Sequence, residues 1–239
     1  MVRNRPVGIA GLLFAGALAL SWTAFAQEPA FEAASVKLNK SETRNGRVNK
    51  TPGRFVGTNV STRSLIREAY GLKDYELYGG PSWLGSDRFD VEGKAESAAD
   101  DAHLRAMLQT LLAERFKLVV HRETKEMSVY NLVVGKNGIK FPEIKAGESW
   151  PPMAPRREGA VRMFAVSISA LADMLSSGFL LDRPVLDKTG LAGKYAVDIQ
   201  YGMDEDIVTV VQDQGLKLES AKGPIEVVVI DHVEKPSEN

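Results

Sequence analysis

The stretch NVSTRSLIREAYGLKDYELYGGPSWLGSDRFD, Asn59 to Asp90, decides the fold, because it contains a helix start, a helix stop and a strand start in one run. Ser61 stands as a helix cap before Leu65, Ile66, Ala69 and Tyr70, which recur at helical spacing, and Gly71 ends the run. Gly79, Gly80 and Pro81 then punctuate the way into a strand around Phe89. The chain carries a second, degraded copy of this grammar. A shift of 106 residues lays Ser61 on Ser167, Leu65 on Leu171, Phe89 on Tyr195 and Val91 on Val197. A shift near 100 lays Phe116, Lys117 and Leu118 on Leu216, Lys217 and Leu218, and one of 96 lays Val129 to Val134 on Ile225 to Ile230. The matches fall at caps, core positions and strand starts, as expected of a duplicated supersecondary unit; the alternative is two unrelated α+β domains that share helix-cap and strand grammar.

Upstream of the first copy, Phe31 to Leu38 alternates as a first strand, and the polar run Asn39 to Pro52 reads as a mobile loop before a short strand, Gly53 to Val60. Downstream, SAAD at 97–100 opens the strongest helix, with Leu104, Met107, Leu108, Leu111 and Leu112 on one face. A strand from Phe116 to Val120 is expected to form a hairpin with Met127 to Val134 across Arg122 to Glu126. In the second copy, Val166 to Leu175 repeats the strand-to-helix step and Tyr195 to Tyr201 alternates as a strand. Asp204 to Gln214 reads as a helix despite its β-branched centre, with strand as the alternative, and GLKLES (215–220) and IEVVVI (225–230) read as two final strands. The expected class is α+β: two tandem small modules, each a mixed or antiparallel sheet with two helices packed on one face. The domains expected are a first module over residues 27–146, a Pro-rich linker over 147–159 and a second module over 160–239.

Residues 1–26 have Arg3 and Arg5, an apolar run from Val7 to Leu20 and the small residues Ala24 and Ala26, the layout of a secretory signal peptide; a membrane anchor is the competing reading. The expected address is therefore periplasmic or extracellular. Removing this segment leaves 213 residues with 28 basic and 31 acidic side chains, a net charge of −3 that gives no pull toward nucleic acid or anionic lipid. No integral membrane segment is expected after cleavage. The chain has no cysteine, which excludes disulfide staples and thiolate chemistry.

With these residues in view, the sequence resembles the Solibacter-type family of exported acidobacterial proteins, a domain of unknown function. FEAASVK (31–37), GRFVGTNVSTRSLIREAYGL (53–72), GGPSWLGSDRFDVEGKA (79–95), LLAERFKLVVHRETKEMSVYNLVV (111–134), RPVLDKTGLAGKYAV (183–197) and GLKLESAKGPIEVVVIDHVEKPSEN (215–239) carry the resemblance. Each half is also similar, through NVSTRSLI and VSISALAD, to the short N-terminal domain of secretins and TonB-dependent receptors. The resemblance implies no established activity and no cofactor.

Chemical motifs are sparse. The three histidines, His103, His121 and His232, have no second His or Cys at ligand spacing, and no metal site is expected. The nucleophile-elbow, phosphate-loop and dinucleotide glycine patterns are missing, so no catalytic residue is assigned and a non-enzymatic role is expected. Asp87 and Asp90 form an acidic pair whose bland reading is a pair of solvated turn carboxylates. The binding candidates are Trp83, Asp87 and Arg88 around GGPSW, where an aromatic and an arginine offer the residue chemistry of binding hot spots, against the reading that Trp83 plugs the core. Lys188 holds the equivalent place in the second half. The expected function is a protein or peptide interaction module of the cell envelope. The alternative is a sensor that binds a small molecule or cell-wall fragment between the two modules.

Overall fold

The computed structural model describes residues 28–41, 43, 45–145, 147–149, 161–177, 180–199 and 206–236. The expected signal peptide and most of the expected linker lie outside these residues. The first half runs β1 (Ala33–Leu38), β2 (Arg47–Thr51), β3 (Arg54–Ser61), α1 (Thr62–Tyr70), β4 (Leu77–Gly79), the short α2 (Trp83–Ser86), β5 (Arg88–Lys94), α3 (Asp101–Phe116) and β6 (Val119–Val134). The second half runs β7 (Val161–Val166), α4 (Ile168–Leu175), β8 (Val185–Asp187), β9 (Tyr195–Ile199), α5 (Ile207–Asp213) and β10 (Leu216–His232). The class is α+β, with three mixed or antiparallel sheets and helices packed against them, consistent with two modules. The helical reading of Asp204 to Gln214 holds over Ile207–Asp213, capped by Asp206, whose side chain accepts from the Val208 N–H.

Each half begins on the same local device. Ser61 accepts from the Ser64 N–H at 3.2 Å and Ser167 from the Ala170 N–H at 3.2 Å, which satisfies an orphan donor at each helix start. Two residues before each cap the backbone turns left-handed, at Asn59 (φ 55°) and Ala165 (φ 52°), and the strand pairing slips there. Gly57 pairs with Val91 and Val60 with Phe89, while Met163 pairs with Val197 and Val166 with Tyr195, the same register 106 residues on. Asparagine tolerates this conformation more readily than alanine, so the device survives in the second half at a cost in strain. The correspondence between the two halves thus extends to backbone geometry.

The long strands depart from the expected pattern. Val119 to Val134 is one strand of 16 residues, not a hairpin, and Leu216 to His232 is one strand of 17 residues, not two. They pair antiparallel along nearly their whole length, from Leu216 opposite Val134 to Ile230 opposite Val120. The run RETKE lacks the glycine or asparagine that a tight turn demands, and its charges divide between the two faces of a strand, Arg122 and Glu126 on the exposed one and Glu123 and Lys125 on the half-buried one. In the four-stranded central sheet, β4-β10-β6-β8, β4 of the first half lies parallel to β10 of the second, and β8 of the second lies parallel to β6 of the first. Each half therefore lends its last strand to the other. The left-handed residues that end α3 and α5, Lys117 and Gly215, are 98 residues apart, as are Tyr130 and Val228, the partners of the short strands. A single shift of 98 thus replaces the 100 and 96 read from the sequence.

Asn39 to Pro52 also contains more structure than a loop. Arg47–Thr51 pairs with β3 across a Pro52–Gly53 turn in which Gly53 takes φ 77°, the left-handed position that follows proline in a type II turn. With one apolar residue, Val48, on an edge strand of the sheet β1-β5-β3-β2, little in the composition marked it.

Two main cores result. The first joins Leu65 and Ile66 of α1, Leu108, Leu112 and Phe116 of α3, Phe55, Phe89 and Val91 of the first sheet, and Val228 and Ile230 of β10. Phe89 and Phe116 meet edge to face with ring centres 5.4 Å apart. The second joins Leu171 and Leu175 of α4, Val211 of α5, Val197 and Ile199 of β9, Leu132 of β6 and Leu216 of β10. A smaller cluster around Val129, Ile225 and Val227 packs with Tyr75, Tyr78 and Leu186, so both halves contribute to it. Lys73 and Asp173 add an ion pair between the halves at 2.9 Å.

Candidate functional site

The backbone of β6 has a direction that can be read from its ends. Tyr130 donates its N–H to the Pro184 carbonyl at 2.7 Å, and the Leu132 carbonyl accepts from Lys188 at 2.9 Å, both away from β10. Gly135, one odd step beyond, donates to Gly215 at 2.8 Å on the β10 side. In an antiparallel strand these directions alternate, and the β6–β10 register is continuous from Val134 to Val120. The N–H and C=O groups of Arg122, Thr124, Glu126 and Ser128 consequently point outward. The β8 strand covers only Tyr130 to Leu132, so among the described residues no strand pairs with this outer side between Arg122 and Ser128. The side chains of all four are exposed.

Among the described residues no strand covers the equivalent stretch of the opposite edge, on β10, because β4 reaches only Val228 to Ile230. That edge differs in one respect. Pro224 pairs with Glu126, and the same parity turns its nitrogen outward, so this edge lacks a donor at its centre. Proline is tolerated there because the ladder to β6 does not need that nitrogen.

The residues singled out from sequence fall in other places. Trp83 begins α2, half-buried against the first core, and Lys235 lies over its ring at 5.6 Å. Lys235 also bonds the Asp87 carboxylate at 2.6 Å and holds it below its ordinary 3.8. The tail is pinned a second time where Glu234 donates its N–H to the Phe116 carbonyl at 2.7 Å. Asp90 instead accepts from the Asn39 amide at 2.9 and 3.0 Å and from the Asn59 N–H at 2.9 Å, so it holds the left-handed turn before α1. Each of the two carboxylates has its own donors. Arg88 starts β5 opposite Ser61 and is half-buried.

Lys188 is exposed immediately after β8, as Gly80 follows β4. These two places lie at opposite ends of the central sheet. Twelve residues of β6 separate Leu132 from Val120, on the order of 40 Å at about 3.3 Å per residue. Trp83, Asp87 and Arg88 are thus brought close together in the chain's first half, and Lys188 is not brought to them. Lys235 was not singled out, since nothing in the tail's sequence points to a residue so far upstream. His121 gains Asp231 across the strands, 2.8 Å from Nδ1, with Glu123 3.9 Å from Nε2. Among the described residues no group of three His, Cys, Asp or Glu is placed to hold a metal ion.

The depressed Asp87 carboxylate makes the tail contact acid-sensitive. A carboxyl lowered on folding contributes above its unfolded value and loses that contribution as pH falls through the folded one. Acid titration below pH 3.8 is expected to release Lys235 and change Trp83 emission. Lys235→Ala should show the released emission already at neutral pH and a flat acid titration; an unchanged titration in that variant counts against the contact.

The comparisons with known proteins bear on the whole of this arrangement. The DUF3738 family, described as a protein of unknown function, matches residues 63–233. The chain is a member of the DUF3738 family. No curated protein and no solved structure matches it. The DUF3738 match starts within α1 and ends just past β10, so it takes in both long strands and both short strands that flank them. The central sheet and its open edge therefore belong to the family domain, while Lys235 falls two residues beyond its end.

Proposed function

We propose that this protein is an exported, non-enzymatic interaction module of the cell envelope that takes an extended peptide segment of another protein onto the open edge of β6. The observation that carries the reading is the row of outward backbone groups at Arg122, Thr124, Glu126 and Ser128, a strand edge without proline or glycine beside a mirror edge blunted by Pro224. An unpaired edge is a template for strand addition, in which main-chain hydrogen bonds supply affinity and alternate side chains supply selectivity. Arg122 and Glu126 keep that edge polar, which disfavours pairing with apolar strands. The signal-like residues 1–26, the resemblance to exported acidobacterial proteins and the likeness of each half to the short N-terminal domain of secretins and TonB-dependent receptors support an envelope setting. The reading requires no cofactor.

The test uses Glu126→Pro, which places on β6 what Pro224 already places on β10. The substitution removes an outward N–H and leaves the β6–β10 ladder intact. A photo-crosslinking side chain at Thr124 in the tagged protein, in its own envelope, is expected to capture a discrete protein partner. Adding Glu126→Pro is expected to cut that capture at least tenfold with no loss of fold. Capture that is indifferent to the proline, or absent throughout, overturns the proposal.

A further inference from the structure

We infer that Asn45 is a site of spontaneous covalent modification, at which the folded chain converts asparagine to aspartate and isoaspartate, separate from the β6 edge and independent of what binds there. The chain has two Asn-Gly pairs, Asn45-Gly46 and Asn137-Gly138. A glycine after asparagine leaves its own backbone nitrogen unshielded by a side chain, so that nitrogen can attack the asparagine Cγ. The new N–Cγ bond closes a succinimide ring as the Cγ–Nδ2 bond breaks, and ammonia leaves with the proton of the attacking N–H. Water then adds to one ring carbonyl or the other and opens the ring to aspartate or to isoaspartate. Water is the only co-reactant.

Both asparagines are exposed, and the fold separates them by how it holds the attacking nitrogen. Gly138 donates its N–H to the Gly135 carbonyl at 3.1 Å. That turn is pinned on both sides, by the Gly135 N–H on the Gly215 carbonyl at 2.8 Å and the Lys140 N–H on the Gln214 carbonyl at 2.9 Å. A nitrogen held there is kept off the Asn137 Cγ. At Gly46 the nitrogen is free to move. The Asn45 carbonyl is turned toward the side-chain amide of Asn59, 3.5 Å away, and across a trans peptide the Gly46 N–H points the opposite way. Gly46 leads into β2, an edge strand, and its N–H has no acceptor among the described residues. The glycine itself is fixed by packing, because a Cβ there would collide with the Asn59 carbonyl oxygen, so the fold retains the labile pair. Isoaspartate adds one carbon to the main chain and turns the former Asn45 carbonyl into a free carboxylate. The Thr43 and Asn45 carbonyls hold the Asn59 amide, at 2.6 and 3.5 Å, at the left-handed turn before α1. Asp90 already accepts from the Asn59 N–H at 2.9 Å, so Asn59 would then face a second carboxylate, and the turn loosens.

The test ages the folded protein in mildly alkaline buffer beside a sample unfolded in urea and follows both sites by peptide mass mapping. In the folded chain Asn45 is expected to exchange ammonia for water at least tenfold faster than Asn137, with isoaspartate as the main product. In urea the two rates are expected to draw together, since only the fold separates them. Asn45→Gln is expected to abolish the acidic species that ion exchange collects from the aged protein, and that species is expected to show faster amide exchange at Asn59 than the parent. An unmodified Asn45, or equal rates at the two sites in the folded chain, overturns the inference; unchanged exchange at Asn59 in the acidic species overturns its consequence for the turn.

Discussion

Leu108→Asp is expected to unfold both halves of the protein, although Leu108 belongs to the first core alone. Its side chain is fully buried among Leu65, Ile66, Leu112 and Phe116 on the apolar stripe of α3. A carboxylate placed there has no partner, and burying one is among the few changes that cost more than about 4 kcal/mol. Single domains have a total of about 5–15 kcal/mol to lose. The loss spreads because β6 and β10 are common property. The β10 strand gives Val228 and Ile230 to the first core and Leu216 to the second, and β6 gives Val120 to the first and Leu132 to the second. Melting the first core frees the ends of both strands, and the second core then loses part of its floor. Limited proteolysis with mass analysis of the fragments should find cleavage throughout. A resistant fragment spanning β7 to α5 would mean that the halves fold separately.

Lys125→Pro should destabilise the chain by about 1–3 kcal/mol, the cost of leaving a buried backbone partner unsatisfied, whereas Glu126→Pro, one residue on, should stay close to the parent. The difference comes from direction. Lys125 is odd and pairs with Ile225, so its N–H belongs to the ladder, and proline there removes a bond in the middle of the two longest strands. Glu126 faces outward, opposite a residue that is already proline. Urea denaturation of the two variants measures the contrast. Equal loss in both would mean that the parity assigned to β6 is wrong.

What the sequence made legible was local. The caps Ser61 and Ser167, the stop at Gly71 and the stripe of α3 all depend on neighbours within a few residues, and the structure keeps them. What it hid was long-range pairing. The segment RETKE reads as a turn from the sequence alone, but here its charges decorate the middle of a strand, Arg122 and Glu126 on one face and Glu123 and Lys125 on the other. Gly223–Pro224 falls in the gap expected between the last two strands. It lies inside β10 because that stretch is paired on one side only, where a missing donor costs nothing. The exchange of last strands leaves no trace in composition or periodicity, since each strand alternates equally well against either partner.

The candidate residues show the same division. Trp83 and Asp87 do lie together, but the residue that closes over them, Lys235, is about 150 positions away along the chain. Arg122 to Ser128 could not be recognised as an edge before the strand itself was.

The most direct test of the open β6 edge is amide hydrogen exchange of the free protein, read residue by residue. Alternation is the expected result: Arg122, Thr124, Glu126 and Ser128 exchange fast, while Glu123, Lys125, Met127 and Val129, bonded to β10, are protected. Protection of the four even amides in the absence of any partner would contradict the account, because the edge offered to a peptide would then already be covered.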